Sequence, residues 1–397
     1  MKASTVKLLV PLVAITIQSN SASTIIPPYL DYLRIPVGVI GTLISLGPVL
    51  ALTSRLPVGM AYNHYRARFL IALAVLAMGV TNFAYSFATD TISFALVHCL
   101  NGFAYGAVTT LYMAFYVDSL AADENRSHAM GYYVGSLAVG YSTGNFFGGL
   151  FADHFGYAIT FQGAAFLSLV PCALLWLLRA PAGQGAGKAK EKPKVKLMSR
   201  EFWRALLEPG LATVVVTALF LNLLHQMGGV FISLYGLAVG MTLTQIGVIR
   251  AAYAGVNAIT RPISGHVVNK VGHRGLSYAG IPLQSALLML IPLFSGFGPI
   301  LIVYVLSGLM RAIVIVANAV GLVQDVDETK VQRGIASAIY NSAGDVGNII
   351  GPSIGGIIAH ATSIAAVFVY GSLGSTILFL LVIFAVRRSG RMNYEKG

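Results

Sequence analysis

The chain has 397 residues, 56% of them hydrophobic and 10% charged, with a mean hydropathy of +0.76. A soluble domain carries roughly a quarter charged residues, so a water-facing globular surface is excluded and lipid must be the main outer solvent. The net charge of +12 would raise nucleic acid as a partner in a soluble protein. Here there is no basic patch with interleaved aromatics; the cations sit in short gaps between apolar runs, where they set membrane topology, and no nucleic-acid partner is expected.

A bilayer core about 30 Å thick needs roughly 20 helical residues, and apolar runs of that length recur along the chain. The first, 7–29, lacks a small-residue cleavage site and reads as a membrane span rather than a removable signal. After it come 37–59, 69–88, 92–116, 128–152 and 157–179. Cys99 and Cys172 lie inside these runs. They read as small buried hydrophobes, with no spacing that supports a disulfide or a metal pair. Residues 180–208 form the longest polar stretch, opening Ala-Pro-Ala-Gly-Gln-Gly-Ala-Gly and then alternating Lys, the composition of a flexible linker running along an anionic leaflet. Spans seven to twelve follow at 209–235, 243–265, 275–295, 298–322, 334–360 and 364–386. The fold expected is therefore all-α and membrane-embedded. A six-helix bundle occupies 1–180, a cytoplasmic linker 181–208 and a second six-helix bundle 209–397.

Orientation follows from Lys and Arg. Gaps on one side hold Lys2, Lys7, Arg66, Arg68, Arg126, Lys270, Arg274, Lys330, Arg333, Arg387, Arg388, Arg391 and Lys396, and the linker adds a further run of Lys and Arg. The opposite gaps hold Arg34 alone, beside Asp31, Asp90, Asp153 and His154. So lopsided a split predicts an even number of spans across the inner (cytoplasmic) cell membrane, with both termini in the cytoplasm.

The two halves repeat one another. At an offset of 206, Arg55, Gly59 and Asn63 match Arg261, Gly265 and Asn269. At an offset of 207, Asp118 and Arg126 match Asp325 and Arg333, and Gly140, Gly144, Gly148 and Gly149 match Gly347, Gly351, Gly355 and Gly356. Order and register hold across roughly 100 residues, so the halves read as parallel repeats of the kind that rock about a central site.

The repeated residues carry a resemblance to the major facilitator superfamily. Gly59-Met-Ala-Tyr-Asn63-His64-Tyr-Arg66-Ala-Arg68 resembles the loop signature after span two, and Gly265-His-Val-Val-Asn269-Lys270-Val-Gly272-His-Arg274 its second copy after span eight. Both copies carry Asn where the family usually has Asp, which puts the family's cytoplasmic ion-pair latch in question. Asp118 with Arg126 and Asp325 with Arg333 resemble the family's acid–arginine pairs at the inner ends of spans four and eleven. Span five, Gly140-Tyr-Ser-Thr-Gly144-Asn145-Phe-Phe-Gly148-Gly149, resembles the glycine-rich motif of exporting members, with Asn145 in place of its proline. Span eleven holds the fuller version, Gly347-Asn-Ile-Ile-Gly351-Pro352-Ser-Ile-Gly355-Gly356. Glycines four apart fall on one helix face and let a neighbouring backbone come close, either as static packing or as a seam that slides.

An ionisable residue in the membrane core is a candidate functional group by default. Asp345 in span eleven and Arg311 in span ten fall near mid-depth, with Arg250 in span eight, His225 in span seven and His98 in span four. Helical spacing groups these with other polar residues. Asn341, Asp345 and Asn348 share a face, as do Asn222, His225 and Gln226; Arg250, Tyr253 and Asn257; Tyr304, Ser307, Arg311 and Asn318; His98, Asn101 and Tyr105; and Gln18 with Ser21. Stripes so polar do not suit lipid and are expected around one aqueous cavity. Asp345 is the candidate proton carrier, partnered by Arg311, with His225 and His98 as alternatives. A permanent Asp345–Arg311 ion pair is the purely structural alternative.

Two fixed cations against one anion favour an anionic or zwitterionic solute. No paired metal-binding histidines, serine elbow or phosphate loop is present, so neither an enzyme nor a nucleotide-driven pump is indicated, and no cofactor or metal is expected. The function expected is secondary active transport of a small organic solute by alternating access, through proton-coupled efflux, with proton-coupled uptake of an organic anion as the alternative. The partners expected are the solute, protons and the lipid bilayer, and the protein is expected to act as a monomer.

Overall fold

Hydrocarbon offers no hydrogen bonds to the backbone, so a chain this apolar must satisfy its own amides, and it does so as helices. A computed structural model describes residues 7–120, 126–177, 209–326 and 333–394 and holds no strand among them. The helices are α1 (Leu9–Tyr32), α2 (Val37–Ala61), α3 (Ala67–Tyr85), α4 (Thr91–Asp118), α5 (Arg126–Leu167), α6 (Leu169–Leu177), α7 (Pro209–Ala238), α8 (Leu243–Val271), α9 (His273–Met289), α10 (Phe297–Gln324), α11 (Arg333–Ala361) and α12 (Ser372–Tyr394). A single 3-10 turn, Ile291–Leu293, ends α9, and the π-helical turn Val367–Gly371 leads into α12.

Nine helical segments among the described residues are long and apolar enough to cross a membrane. One of them, His128–Leu177, is 50 residues long and breaks at Gly156, whose φ of 79° is left-handed; glycine takes that conformation without steric cost. Its two arms are each long enough to cross. α8 and α11 have the length of spans at 29 residues each but are more polar, carrying Arg250, Arg261 and Lys270 in the one and Asn341, Asp345 and Asn348 in the other. The spans predicted from hydropathy coincide with these helices to within a few residues, except that spans five and six run through Gly156 without a loop.

The chain forms two compact units. The first takes in Met1–Lys190 with Ser233–Ala258, the second Glu191–Ile232 with Ile259–Gly397. Within the first, α1 lies along α5, α2 along α4, and α3 against both α4 and α5. Its apolar core joins Leu12, Ile71, Val75, Leu111, Phe115 and Tyr116. Asp90 opens α4 with a reciprocal cap, accepting from the amides of Ile92 and Ser93 while Ser93 bonds back. The hydrogen bonds from Ser93 hold the Asp90 carboxyl below its ordinary value. Within the second unit, α9 lies along α10 and against α12, and Leu211, Val215, Ala336, Ile339 and Ala343 form a core where α7 meets α11.

The same seam of small residues is built into each unit. In the first, a side-chain carbon at Gly140 would strike Thr16, one at Gly144 would meet the Ile17 carbonyl, and one at Gly148 would meet the Ser21 backbone. In the second, Gly347 abuts Leu219 and Leu223, Gly351 abuts Leu223 and Met227, and Gly355 abuts Phe231. Backbone-to-backbone approach of this kind stands in for a hydrophobic force that lipid does not supply.

Two alanine substitutions separate this seam from ordinary helix propensity. Gly148→Ala places a carbon against the Ser21 backbone and is expected to cost about 1–3 kcal/mol by overpacking. Gly163→Ala meets nothing within 4 Å and is expected to be neutral or to stabilise by up to about 1 kcal/mol. Thermal unfolding of the detergent-solubilised protein checks both; a Gly148→Ala melting temperature at or above wild type would refute the seam.

Candidate functional site

Small and polar residues also join α5 to the first half of α8 inside the first unit. A carbon added at Gly149 would meet the Leu243 carbonyl and the Gly247 backbone, and one at Gly247 would meet the Asn145 carbonyl. Ser142 Oγ donates to the Ala251 carbonyl at 2.9 Å, and Asn145 Nδ2 to the Arg250 carbonyl at 3.4 Å. Asn145 Oδ1 accepts from Thr24 Oγ1 of α1. The asparagine that replaces the motif's proline thus bridges two helices through an amide that proline lacks. At the end of the seam Thr244 Oγ1 donates to Asp153 Oδ2 at 2.6 Å, so a carboxylate of α5 sits on the first turn of α8, where the helix dipole favours negative charge. Arg250 Nη1 donates to Ser233 Oγ at 3.3 Å, and Tyr253 and Asn257 are buried one and two turns further on.

The polar residues of α1, α3 and α4 face inward in the same unit. Asn101 Nδ2 donates to Thr81 Oγ1 at 2.7 Å and to Asn82 Oδ1 at 3.3 Å, and Tyr105 packs against the core. His98 is buried with both ring nitrogens engaged, Nδ1 with the Tyr85 hydroxyl at 2.7 Å and Nε2 with the Ile44 carbonyl at 3.3 Å, and it stacks on Phe94. Gln18 is completely buried, and neither amide atom has a hydrogen-bond partner among the described residues.

In the second unit Arg311 of α10 is 8% exposed, and its Nη2 donates to Asn222 Oδ1 of α7 at 3.0 Å. The acid expected as its partner, Asp345, is half-buried on α11. His225 and Gln226 are half-buried one turn beyond Asn222. Tyr304 is buried against Gly228. Asn341 is exposed and bonds back to the Ser337 carbonyl at 2.9 Å.

The repeated loop motifs behave differently in the two halves. Asn63 closes a local turn by accepting from the Tyr65 amide at 2.9 Å, and Arg66 and Asn269 are exposed. Arg55, Gly59, Arg261 and Gly265 are half-buried along α2 and α8, while Gly351 and Pro352 are buried in α11. Asp118 accepts from the Tyr62 hydroxyl at 2.8 Å; burial and that carboxylate hold the phenol well above the ordinary tyrosine range. Asp325, its counterpart, accepts from Arg274 Nη2 at 2.6 Å and pairs with His273 Nε2 at 2.9 Å. Burial alone would raise the Asp325 carboxyl, but the bonds and charges of Arg274 and His273 outweigh it and hold the group below its ordinary value. The side chains of Arg126 and Arg333 and the linker 181–208 lie outside the described residues. Sequence reading passed over Tyr62, His273 and the Asp153–Thr244 pair. Tyr62 stands between two motif positions, His273 occupies a basic position of the second motif copy, and only the helix start at Leu243 marks Asp153 as a cap.

The sequence profile of the Major Facilitator Superfamily matches residues 9–331. An uncharacterised MFS-type transporter of Methanocaldococcus jannaschii is 22% identical over 336 residues, 84% of this chain and 86% of that one. The quinolone resistance protein NorA of Staphylococcus aureus is 26% identical over 162 residues, 40% of each chain. Among solved structures, a bacterial homolog of the human lysosomal transporter Spinster, inward-facing and occupied, matches with a TM-score of 0.76 at 15% identity, over 97% of this chain and 96% of that one. The nucleoside transporter NupG matches with a TM-score of 0.76 at 14% identity, over 96% of this chain and 99% of that one. At these identities the solved structures speak for the fold.

The Asp325 clamp has a defined pH window. Its folded carboxyl titrates below the ordinary 3.8, so its contribution is complete above that value and is lost as the pH falls through the lower, folded one. Asp325→Asn is expected to lower stability by roughly 1 kcal/mol at neutral pH. The difference from wild type should close as the pH drops below 3.8. Melting curves from neutral to acid pH measure it, and a gap that stays constant across the range would assign the loss to something other than the carboxylate.

Proposed function

The chain belongs to the Major Facilitator Superfamily, and we propose that it exports a small organic solute, anionic or zwitterionic, in exchange for protons by alternating access. It is a multi-pass membrane transporter of a small molecule and not an enzyme. The observation that carries the reading is the doubled glycine seam. Gly140, Gly144 and Gly148 bring α5 onto α1, and Gly347, Gly351 and Gly355 bring α11 onto α7. Smooth backbone faces hold long helices together in lipid and also let them shift along one another without unlocking interdigitated side chains, which a rocking transporter needs. Export is favoured by the glycine motif of span five and by the likeness to a drug-resistance protein over 162 residues.

Asp345 is the proton carrier in this reading. It is half-buried on α11, where a carboxyl can change protonation as its surroundings alternate between wet and dry. The protein acts as a monomer in the cytoplasmic membrane with both termini inside. That orientation leaves the linker and its lysines against the anionic leaflet.

Everted vesicles with an imposed proton gradient test the exchange. A panel of organic acids, amino acids and quinolones is added in turn, and the luminal pH is followed. An accepted solute is expected to release luminal protons, and Asp345→Asn to slow that release by about tenfold or more. Proton movement in the same direction as the solute would mark a symporter instead. An unchanged pH profile in Asp345→Asn would remove this carboxylate from the proton route.

A further inference from the structure

We propose that Asp153 is a latch: its carboxylate holds the first turn of α8 against the first arm of α5 and so keeps the outer end of the transport path shut. This rests on the reading that the chain works by alternating access, and it assigns a contact that has to break when the outer side opens.

The first four amides of a helix have no partner within it, and the first turn of α8 finds its acceptors in two places. The Gln245 amide donates to Thr242 Oγ1 at 3.2 Å and the Ile246 amide to the Thr242 carbonyl at 3.1 Å. Gln245 Oε1 in turn accepts from the Thr242 amide at 3.1 Å, a reciprocal box that caps the helix from within its own sequence. The amides of Leu243 and Thr244 turn to another helix. The Asp153 carboxylate lies within hydrogen-bonding reach of both and of the Thr242 hydroxyl, and its Oδ2 accepts from Thr244 Oγ1 at 2.6 Å. A full negative charge at this point meets the positive end of the α8 dipole.

α8 is placed to feel this bond. Through Ala258, and with the end of α7 from Ser233, it packs into the first compact unit; from Ile259 onward it belongs to the second. One helix is therefore shared by both units, and the half that begins at Leu243 is held on α5. Below Asp153 that seam consists of close backbone contact at Gly149 and Gly247 and of neutral bonds from Ser142 and Asn145 to the Ala251 and Arg250 carbonyls.

Two properties suit Asp153 to a contact that reopens in every cycle. Hydrogen bonds to an ionised acceptor are roughly twice as strong as neutral ones, so the carboxylate adds holding strength where the seam below is neutral. Yet Asp153 is exposed, and water takes over the bonds of an exposed carboxylate at small cost once the partner moves away. A buried charge would weld the two helices together, because parting them would strand it.

The test uses the full chain in detergent, with nitroxides attached at Phe155→Cys and Ala238→Cys, both exposed, in a background carrying Cys99→Ser and Cys172→Ala. Pulsed spin resonance measures the distance between the labels. With Asp153 in place, one short distance is expected to dominate a minor, longer one. Asp153→Ala removes the acceptor and is expected to raise the longer population about fivefold. Asp153→Asn keeps the shape and one acceptor oxygen without the charge, and is expected to fall between the two. Should Asp153→Ala not accumulate, Thr244→Val takes its place; it removes the hydroxyl donor and is expected to raise the longer population about twofold. Unchanged distances in Asp153→Ala, or in Thr244→Val where it stands in, overturn the latch. So do unchanged distances in Asp153→Asn, since a packing role alone survives in a side chain of the same shape. Lengthened distances without solute-driven proton exchange in vesicles would instead sink the antiport reading and leave the latch standing.

Discussion

Lipid supplies no hydrogen bonds, and the structure follows from the ways in which this chain meets its own polar demand. The backbone does so by being helical throughout its spans. Most hydroxyls do so by folding back on the preceding turn. Thr16 bonds the Leu12 carbonyl, Ser21 the Ile17 carbonyl, Thr217 the Thr213 carbonyl and Ser264 the Thr260 carbonyl. Such residues are neutral toward lipid and toward neighbours, so a polar residue in a span is not in itself a site. The informative groups are those too long or too charged to be satisfied by their own helix. They number few among the described residues, and Gln18 and Arg311 stand out because each is buried with donors unmet.

Glycine placement is the second consequence of the same solvent. Where apolar surface gains nothing by leaving lipid for protein, helices associate through close contact, and close contact demands small residues. The two units solve this with the same pair of elements, the first helix of each half lying against the fifth. Yet the polar fittings differ. Ser21 Oγ reaches across to the Gly144 carbonyl at 3.2 Å, and Asn145 ties Thr24 to α5. The matching stretch of α7 meets α11 through Leu219, Leu223, Met227 and Phe231. The glycine packing is thus common to both seams.

Much of this was legible in the sequence. Helix number, length and ends follow from hydropathy because the bilayer sets one length for all spans, and even the short breaks near 295 and 362 appear as the 3-10 turn Ile291–Leu293 and the cap at Ser363. Glycines four apart gave the seam faces. What spacing could not give is the neighbour that each face meets. The stripe His98–Asn101–Tyr105 is polar enough to suggest a wet wall, yet His98 is enclosed by Tyr85, Phe94 and the Ile44 carbonyl. Its aromatic surroundings are scattered over α3 and α4 and show no pattern along the chain. Likewise the bond from Arg311 to Asn222, on a helix 89 residues away in sequence, leaves no mark in the spacing of either helix.

The two acids at the inner ends of the repeats show how far divergence can go without loss of place. Asp118 and Asp325 are equivalent in sequence, and each closes the end of its helix against the loop that precedes the next pair. Asp118 accepts from a phenol, Tyr62. Asp325 takes a permanent cation, Arg274, and a titratable imidazole, His273. A phenol–carboxylate bond lacks the charge attraction of an ion pair and so is less sensitive to salt; the guanidinium clamp is stronger and partly screened, since Arg274 is 67% exposed. Among the described residues, equivalent acids of the two repeats thus take partners of different charge, a phenol in one and a guanidinium with an imidazole in the other, while the Asn residues at positions 63 and 269 carry no charge in either copy.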